Sequence, residues 1–337
     1  ARLGELWPNL RAAVDWAVES GADALGRSLI RPILSEIILR SHYEIGDWIE
    51  RLLEITSPDD DEALVFGLYW AAHRYSVSQD PKAYQRLVDR FGEPNHVFLR
   101  HGRALTEDDY EAMAEWTPEA VIELRRRGDD HLAERAEINV ATAWLNLGRY
   151  TECDARLAEL LDRYREQGPP TFVNWTLLLL GYSSSFQGAQ DRADSYFDQA
   201  IAVEVPPGTH TPNKPLEARA AFRRGNHLRA FRTLRSHITE LLASDNMQAG
   251  SIACIEFINM TTHLGRHDEA AAMLGYLETT GMLDNPAWRS LVLDSSDTLA
   301  ATGSHPADGD PIRDHRQALE YMRDALERLE HPLLPDR

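Results

Sequence analysis

The chain of 337 residues contains only two cysteines, Cys153 and Cys254. Two cysteines are too few for a disulfide framework or for a cysteine-rich zinc site. Each stands inside an apolar pattern of helical spacing, which predicts a small buried core residue. The scarcity of cysteine therefore favours a reducing compartment, and we expect a cytoplasmic location.

Long apolar runs and targeting segments are also missing. No stretch approaches the roughly eighteen apolar residues that span a bilayer. The first residues, Ala1–Leu6, lack the charged region and apolar stretch of a signal peptide, and they enter a helical pattern at once. We expect no membrane partner, and we expect the chain to be a piece of a longer protein.

Acidic residues outnumber basic residues in this chain. With 54 acidic residues against 35 lysines and arginines, the formal net charge is −19. Such a surface repels nucleic acid, so direct nucleic-acid binding by this segment is not expected. A hydrophobic fraction of 43% and a charged fraction of 26% are ordinary for a folded chain.

Sequence motifs of catalysis and nucleotide binding are absent. The chain has no G-x-x-x-x-G-K-[ST] loop, no G-x-S-x-G elbow and no G-x-G-x-x-G turn. His263 and His267 have the spacing of metal ligands on one helix, but Gly265 between them indicates a turn. We therefore predict a protein that is not an enzyme, with no cofactor and no bound metal.

Four segments share the same turn pattern, in which a glycine is followed five residues later by a small residue. The glycines are Gly148, Gly188, Gly225 and Gly265, and the small residues are Cys153, Ala193, Ala230 and Ala270. Glycine reaches the left-handed conformation that ends a helix, and a small residue lets the next helix approach closely. Apolar residues at spacings of three and four flank each turn, which predicts two helices per repeat.

These repeats predict an all-α fold, because a single helical hairpin cannot bury its apolar face alone and must stack on its neighbours. The segment Gly188, Ala193, Phe197 and Ala200 resembles the tetratricopeptide (TPR) signature. The resemblance implies a right-handed α-α superhelix, a TPR-like solenoid of about seven or eight hairpins. We divide it into irregular helical hairpins at 1–130, TPR-like repeats at 131–300, and a loop, capping helix and tail at 301–337, all in one continuous solenoid.

The opening segment LWPNLRAAVDWAVESG, residues 6–21, followed by degenerate repeats, resembles one family more closely. It is similar to the helical-repeat region of actinobacterial transcription regulators of the LuxR-like or AfsR-like kind, which carry a STAND-type ATPase. The resemblance implies that the repeats sense a ligand or partner and control ATPase and DNA-binding modules that lie outside these 337 residues.

In TPR folds the first helix of each pair lines a concave groove, and its exposed positions contact ligands. Transferred to this sequence, that rule gives eight candidate groove residues: Asn139, Thr142, Asn146, Tyr182, Arg219, Arg223, Asn259 and His263. Amides, aromatics and arginines in these places suit a protein, peptide or small-molecule ligand.

The segment 218–239 carries six arginines and no acidic residue, a local reversal of sign in an acidic chain. Two interpretations remain open: an anion-binding site, or pairing of the arginines with carboxylates of neighbouring repeats.

The sequence thus supports a sensor and scaffold domain of a transcription regulator that binds a ligand in its groove. A stand-alone peptide receptor or assembly scaffold is the alternative within binding proteins. An all-helical enzyme is the alternative from another class, and it requires titratable side chains that converge in a pocket.

Overall fold

The computed structural model describes residues 2–34, 36, 44–60, 62–67, 83–91, 96–206, 213–244, 250–304 and 312–333. Within these ranges the chain forms helices joined by turns, and no strand occurs. The prediction of an all-helical chain is therefore confirmed. No helix in the described part of the chain has the length and apolar character needed to cross a membrane.

The helices group into two compact units, one formed by the described residues up to 147 and one by those from 148 onward. The N-terminal unit contains α1 (Arg2–Ser20), α2 (Asp23–Ile30), α3 (Glu44–Ile55), α4 (Ala83–Phe91), α5 (Val97–Thr106), α6 (Tyr110–Arg126) and α7 (Asp130–Asn146). The C-terminal unit contains α8 (Tyr150–Gln167), α9 (Pro170–Phe186), α10 (Gln190–Ala202), α11 (Asn213–Arg223), α12 (His227–Ser244), α13 (Ser251–His263), α14 (His267–Thr279), α15 (Pro286–Ser290), α16 (Leu293–Thr302) and α17 (His315–Glu330).

All four repeat glycines adopt the left-handed conformation, with φ between 70° and 76°. After α9 the Gly188 amide bonds the Ser185 carbonyl and the Ala189 amide bonds the Ser184 carbonyl, both at 2.9 Å. This pair of bonds is the Schellman motif, which satisfies helix-end carbonyls while the chain reverses. The predicted role of glycine in the repeat turns is confirmed.

Two turns of the N-terminal unit were not predicted as left-handed, one with a glycine and one without. Gly128, with φ 79°, connects α6 to α7, and Ala133 five residues later is fully buried. Asp108, with φ 50°, takes the glycine's place between α5 and α6. Because asparagine and aspartate tolerate the left-handed region, a search for glycine alone overlooks such a turn.

The small residues five positions after the repeat glycines are all completely buried: Cys153, Ala193, Ala230 and Ala270. In the C-terminal unit α9 packs on α10, α11 on α12, and α13 on α14. A larger side chain at these places would force the paired helices apart, since interiors are close-packed. Cys153 and Cys254 are both buried, as the apolar patterns around them predict.

The N-terminal unit has its own core around Trp48, Phe66 and Phe98. Asp129, only 4% exposed at the start of α7, binds the Arg31 guanidinium through both oxygens at 2.8 and 2.5 Å. The acidic pair at 129–130 therefore begins a helix and also anchors it to the chain after α2.

The predicted final helix is present as α17, which packs on α12. Arg235 of α12 donates two hydrogen bonds, of 2.6 and 2.9 Å, to the buried Glu330 carboxylate at the end of α17. Of the predicted loop before this helix, residues 305–311 lie outside the described residues, as do residues 334–337 of the predicted tail.

The Phe197 ring of α10 lies against Gly181 of α9, and this contact can be tested. A Cβ atom at this position of α9 would meet the Phe197 ring of α10, at 2.6 Å from Cδ1 and 2.9 Å from Cζ. In an ordinary helix interior, Gly→Ala stabilises by about 1 kcal/mol. We expect Gly181→Ala instead to lower the free energy of unfolding by about 1–3 kcal/mol, because it overpacks this interface. Urea unfolding followed by circular dichroism measures the change.

The control is a double-mutant cycle with Phe197→Leu, which shortens the opposing side chain. The two changes together should cost less than the sum of their separate effects, since the smaller leucine makes room for the new methyl group. Strict additivity would show that the contact does not limit the helix spacing.

Candidate functional site

A cleft of about 290 Å³ opens in the C-terminal unit, and we call it the Glu256 cleft. Its lining residues come from α9, α10, α11, α13, α15 and the start of α16: Ser185, Gln190, Arg219, Phe222, Arg223, Ile255, Glu256, Asn259, Met260, His263, Ser290, Leu291 and Asp294. The volume is at the small end of the range for ligand pockets. The cleft is therefore sized for a small molecule or a single side chain.

Four of the eight predicted groove residues line this cleft: Arg219, Arg223, Asn259 and His263. They stand on α11 and α13, the first helices of two successive pairs, so equivalent positions in neighbouring repeats meet in one place. The geometric rule taken from the TPR resemblance thus selects residues that do converge.

The three predicted residues on α7 belong to the N-terminal unit and are not among the lining residues of the cleft. Asn139 accepts a hydrogen bond from Arg135 at 2.5 Å. Thr142 and Asn146 each bond a carbonyl one helical turn back, on Ile138 and Thr142, at 2.9 Å. These side chains are engaged within their own helix.

Tyr182, the remaining candidate, is 5% exposed, because its ring is enclosed by other aromatic rings. It lies 5.2 Å from Phe197, 6.2 Å from Phe186 and 5.7 Å from Trp288, measured between ring centroids. The ring is thus part of the aromatic core of the C-terminal unit and does not stand exposed in a groove.

Arginines of α11 and α12 pair with carboxylates of neighbouring helices. Arg223 binds Asp194 of α10, and Arg219 lies 3.7 Å from the same carboxylate. Arg219 also lies 3.6 Å from the Glu256 carboxylate of α13. Farther along, Arg232 and Arg235 both pair with Glu330. Four arginines of the segment 218–239 therefore pair with carboxylates of neighbouring helices, as the second interpretation of that segment predicts.

Glu256 is the functional candidate that the sequence analysis missed. It lies in the middle of α13 and is only 4% exposed, yet its carboxylate faces the cleft. Burial raises the pKa of this carboxyl to about 7, against the lowering effect of Arg219. A lone glutamate within the apolar segment SIACIEFINM was the available signal, because an acidic residue on a buried helix face requires a partner.

Polar groups around Glu256 retain unused hydrogen-bonding capacity. The two ion pairs of Arg219, at 3.6 and 3.7 Å, are longer than a hydrogen bond. Among the described residues, the buried Tyr182 hydroxyl and Ser185 Oγ find no hydrogen-bond partner. Burial and the neighbouring Glu256 both raise the pKa of Tyr182, which places its hydroxyl in the same electrostatic environment. Buried groups of this kind are ordinarily satisfied, by protein, water or ligand.

Asn259 and His263 make different contacts at the cleft. The Asn259 amide donates to the Leu291 carbonyl at 3.0 Å, and its oxygen accepts from Ser295 at 2.8 Å. Asn259 therefore fixes the α15–α16 segment against α13. His263 meets the Phe222 ring edge-on at 5.5 Å between centroids. It contributes an imidazole edge to the rim.

A second cleft, of about 300 Å³, lies along α10 and α11 and shares Arg219 and Arg223 with the first. It adds Asp198, Ile201, Leu216 and Arg224 to the wall. The two arginines thus separate two clefts, and only the Glu256 cleft contains the buried carboxylate.

The cysteine nearest in sequence to Glu256 is deeply buried. Burial raises the pKa of Cys254, the nearest cysteine in sequence to Glu256, to about 12, so its thiol is not an activated nucleophile. In the ranges that the structure describes, no group of three or more His, Cys, Asp and Glu side chains could hold a metal ion.

No protein-family model, curated protein or solved structure matches this chain.

The raised pKa of Glu256 gives a prediction for stability against pH. A carboxyl with an ordinary pKa of 4.5 and a folded-state pKa of about 7 takes up a proton on folding between these values. Its contribution to stability is full below pH 4.5 and is lost as the pH rises through 7. We therefore expect Glu256→Gln to gain stability relative to the wild type between pH 5 and pH 8, by on the order of 2 kcal/mol.

Urea unfolding at pH 5, 6.5 and 8 measures this difference. Glu278→Gln, on the exposed face of α14, controls for the loss of one negative charge from a chain of net charge −19. A constant difference between Glu256→Gln and the wild type across the three pH values would contradict the buried titration.

Proposed function

We propose that this chain is a binding module, a TPR-like right-handed solenoid that senses a small ligand in the Glu256 cleft. The successive hairpins of the C-terminal unit, with left-handed glycines and fully buried small residues, support the TPR-like part of the proposal. The resemblance of the opening segment supports the regulatory part, in which the module controls attached ATPase and DNA-binding modules.

The observation that carries the proposal is the set of buried polar groups at the cleft. Glu256 of α13, Arg219 of α11 and Ser185 of α9 line the cleft; the Glu256–Arg219 ion pair is 3.6 Å long, and Ser185 Oγ finds no hydrogen-bond partner among the described residues. The desolvation of buried charges costs several kcal/mol, and attraction repays it only where the geometry is close and further hydrogen bonds satisfy the ions. A cleft that retains such groups is suited to a ligand that completes their bonds.

The position of the cleft suggests how binding reaches the rest of the protein. Its walls come from consecutive hairpins, so an occupant contacts α9, α11, α13 and the α15–α16 segment together. A ligand that binds one arrangement of these hairpins more tightly shifts the equilibrium towards it. In this proposal the attached modules respond to that shift.

The test begins with a defined set of compounds: the twenty L-amino acids, mono- and oligosaccharides, nucleotides, organic acids and short peptides. Thermal unfolding of the chain is measured with each compound. We expect at least one to raise the midpoint by about 5 °C when present at about a hundred times its Kd.

A blocking variant separates the cleft from other surfaces. Ser290 stands at the exposed rim, so Ser290→Trp should fill the entrance and remove the shift without disturbing the core. Thr298→Trp, at an exposed α16 position that does not line the cleft, is the matched control and should retain it. If every shift survives in Ser290→Trp, the ligand binds elsewhere and the proposed site is wrong.

A second variant tests the charged wall. Arg223→Glu places a carboxylate beside Asp194, and we expect it to abolish binding of any compound that the set identifies. Isothermal titration of that compound measures the loss. Circular dichroism shows whether the variant is folded, and unchanged affinity in a folded variant would exclude the charged wall from the site.

A further inference from the structure

The half-buried Arg219 guanidinium and the buried Glu256 carboxylate stand side by side, and both residues line the Glu256 cleft. The Arg219 guanidinium and the Glu256 carboxylate are 3.6 Å apart, and their side chains are 23% and 6% exposed. At this separation the two ions attract one another but do not form a hydrogen bond of normal length. Each can therefore still bind an atom of opposite charge that enters the cleft.

A ligand with a single charge satisfies only one of these groups. A cation would pair with Glu256 but would be repelled by Arg219. An anion would pair with Arg219 but would be repelled by Glu256. A neutral ligand offers only uncharged hydrogen-bonding groups to both ions. It would bind more weakly, because hydrogen bonds between charged groups are roughly twice as strong as neutral ones. A compact zwitterion complements both groups together.

The spacing of the charges also limits the kind of zwitterion. In an α-amino acid three bonds, N–Cα, Cα–C and C–O, join the ammonium nitrogen to a carboxylate oxygen. The distance between these two atoms is about 3 Å. This matches the 3.6 Å between Arg219 and Glu256. An α-amino acid can therefore bind Glu256 through its ammonium group and Arg219 through its carboxylate at the same time. The two charges of the ligand and the two of the protein then alternate in sign around a ring.

The remaining walls indicate what the side chain of such a ligand contacts. Phe222, Ile255, Met260 and Leu291 line the cleft beside the charged pair. Their apolar surfaces suit an aliphatic, thioether or aromatic group, and a volume of about 290 Å³ accommodates one amino acid with some water.

We propose that the Glu256 cleft binds a free α-amino acid with an apolar side chain, its ammonium group on Glu256 and its carboxylate on Arg219. Ser185 Oγ, which lines the cleft and lacks a hydrogen-bond partner among the described residues, can complete the bonds to the head group. This inference rests on the proposed function, because it names the ligand class of the same cleft.

Other charged groups near Glu256 fix the expected dependence on pH. Arg219 and Arg223 face it from α11, Asp194 from α10, Tyr182 from α9, His263 from its own helix and Asp294 from α16. The ammonium of the ligand requires the ionised carboxylate. Because burial holds the pKa of Glu256 at about 7, a proton competes with the ligand below that value, and binding should weaken as the pH falls from 8 to 6.

The experiment is isothermal titration of the chain with L-methionine, L-leucine and L-phenylalanine at pH 8. The best binder is then compared with its N-acetyl derivative, which lacks the positive charge, and with its amide, which lacks the negative charge. We expect each derivative to bind at least about tenfold more weakly, since each loses one charge-assisted bond. A derivative that binds as well as the parent amino acid would overturn the proposal.

Two variants test which residue binds the ammonium group of the ligand and which binds its carboxylate. Glu256→Gln, which removes a buried charge and is expected to fold, should weaken the amino acid about tenfold or more and abolish the pH dependence. Arg219→Lys keeps the charge but loses the planar fork, so it should weaken binding while leaving the pH dependence intact. If Glu256→Gln binds the amino acid as tightly as the wild type, Glu256 is not its partner.

The outcomes separate this inference from the proposed function. If no amino acid binds, but a saccharide, nucleotide, organic acid or peptide does so and is lost in Ser290→Trp, the cleft is a ligand site and only the ligand class is wrong. If no compound of any class depends on the cleft, both proposals fail together.

Discussion

The left-handed glycine turn is the constraint on which the rest of the described structure depends. It reverses the chain within three residues while satisfying the exposed carbonyls of the preceding helix. The reversal brings the next helix so close that only a small residue fits five positions later, as at Ala193 and Ala230. Close helices bury large apolar surfaces, and that burial is the dominant favourable term in folding. The hairpins, and hence the clefts between them, follow from this spacing.

The same close packing explains why charged residues accumulate at the Glu256 cleft. Arg219 of α11 lies between two carboxylates of its neighbouring helices, 3.7 Å from Asp194 of α10 and 3.6 Å from Glu256 of α13. Each charge there depends on the others, because an isolated buried ion is costly. The raised pKa of Glu256 to about 7 shows that this compensation is incomplete. Incomplete compensation within a cleft distinguishes this network from the closed pair of Arg235 and Glu330.

Much of the fold could be predicted from local residues. The period-3.6 apolar pattern predicted helices, the repeat glycines predicted the turns, and the final helix appeared where its apolar face indicated. The turn at Asp108 was not predicted as a left-handed position, because aspartate carries no strong preference that distinguishes it from a helix start. The candidate site was predicted less completely. Arg219, Arg223, Asn259 and His263 converge because repeat positions are equivalent, whereas Glu256 was missed because its burial depends on helices from other repeats.

The sequence by itself determined that the described chain is helical, where the helices of the C-terminal unit turn, and which small residues are buried at those turns. These features are set by residues within a few positions of one another, so local chemistry is sufficient to decide them. Only the tertiary structure decided that Tyr182 is enclosed by Phe197 and Trp288, and that Arg219 lies beside Glu256. Such contacts join residues tens of positions apart, and whether a charge is buried or paired depends on the side chains that the fold places around it.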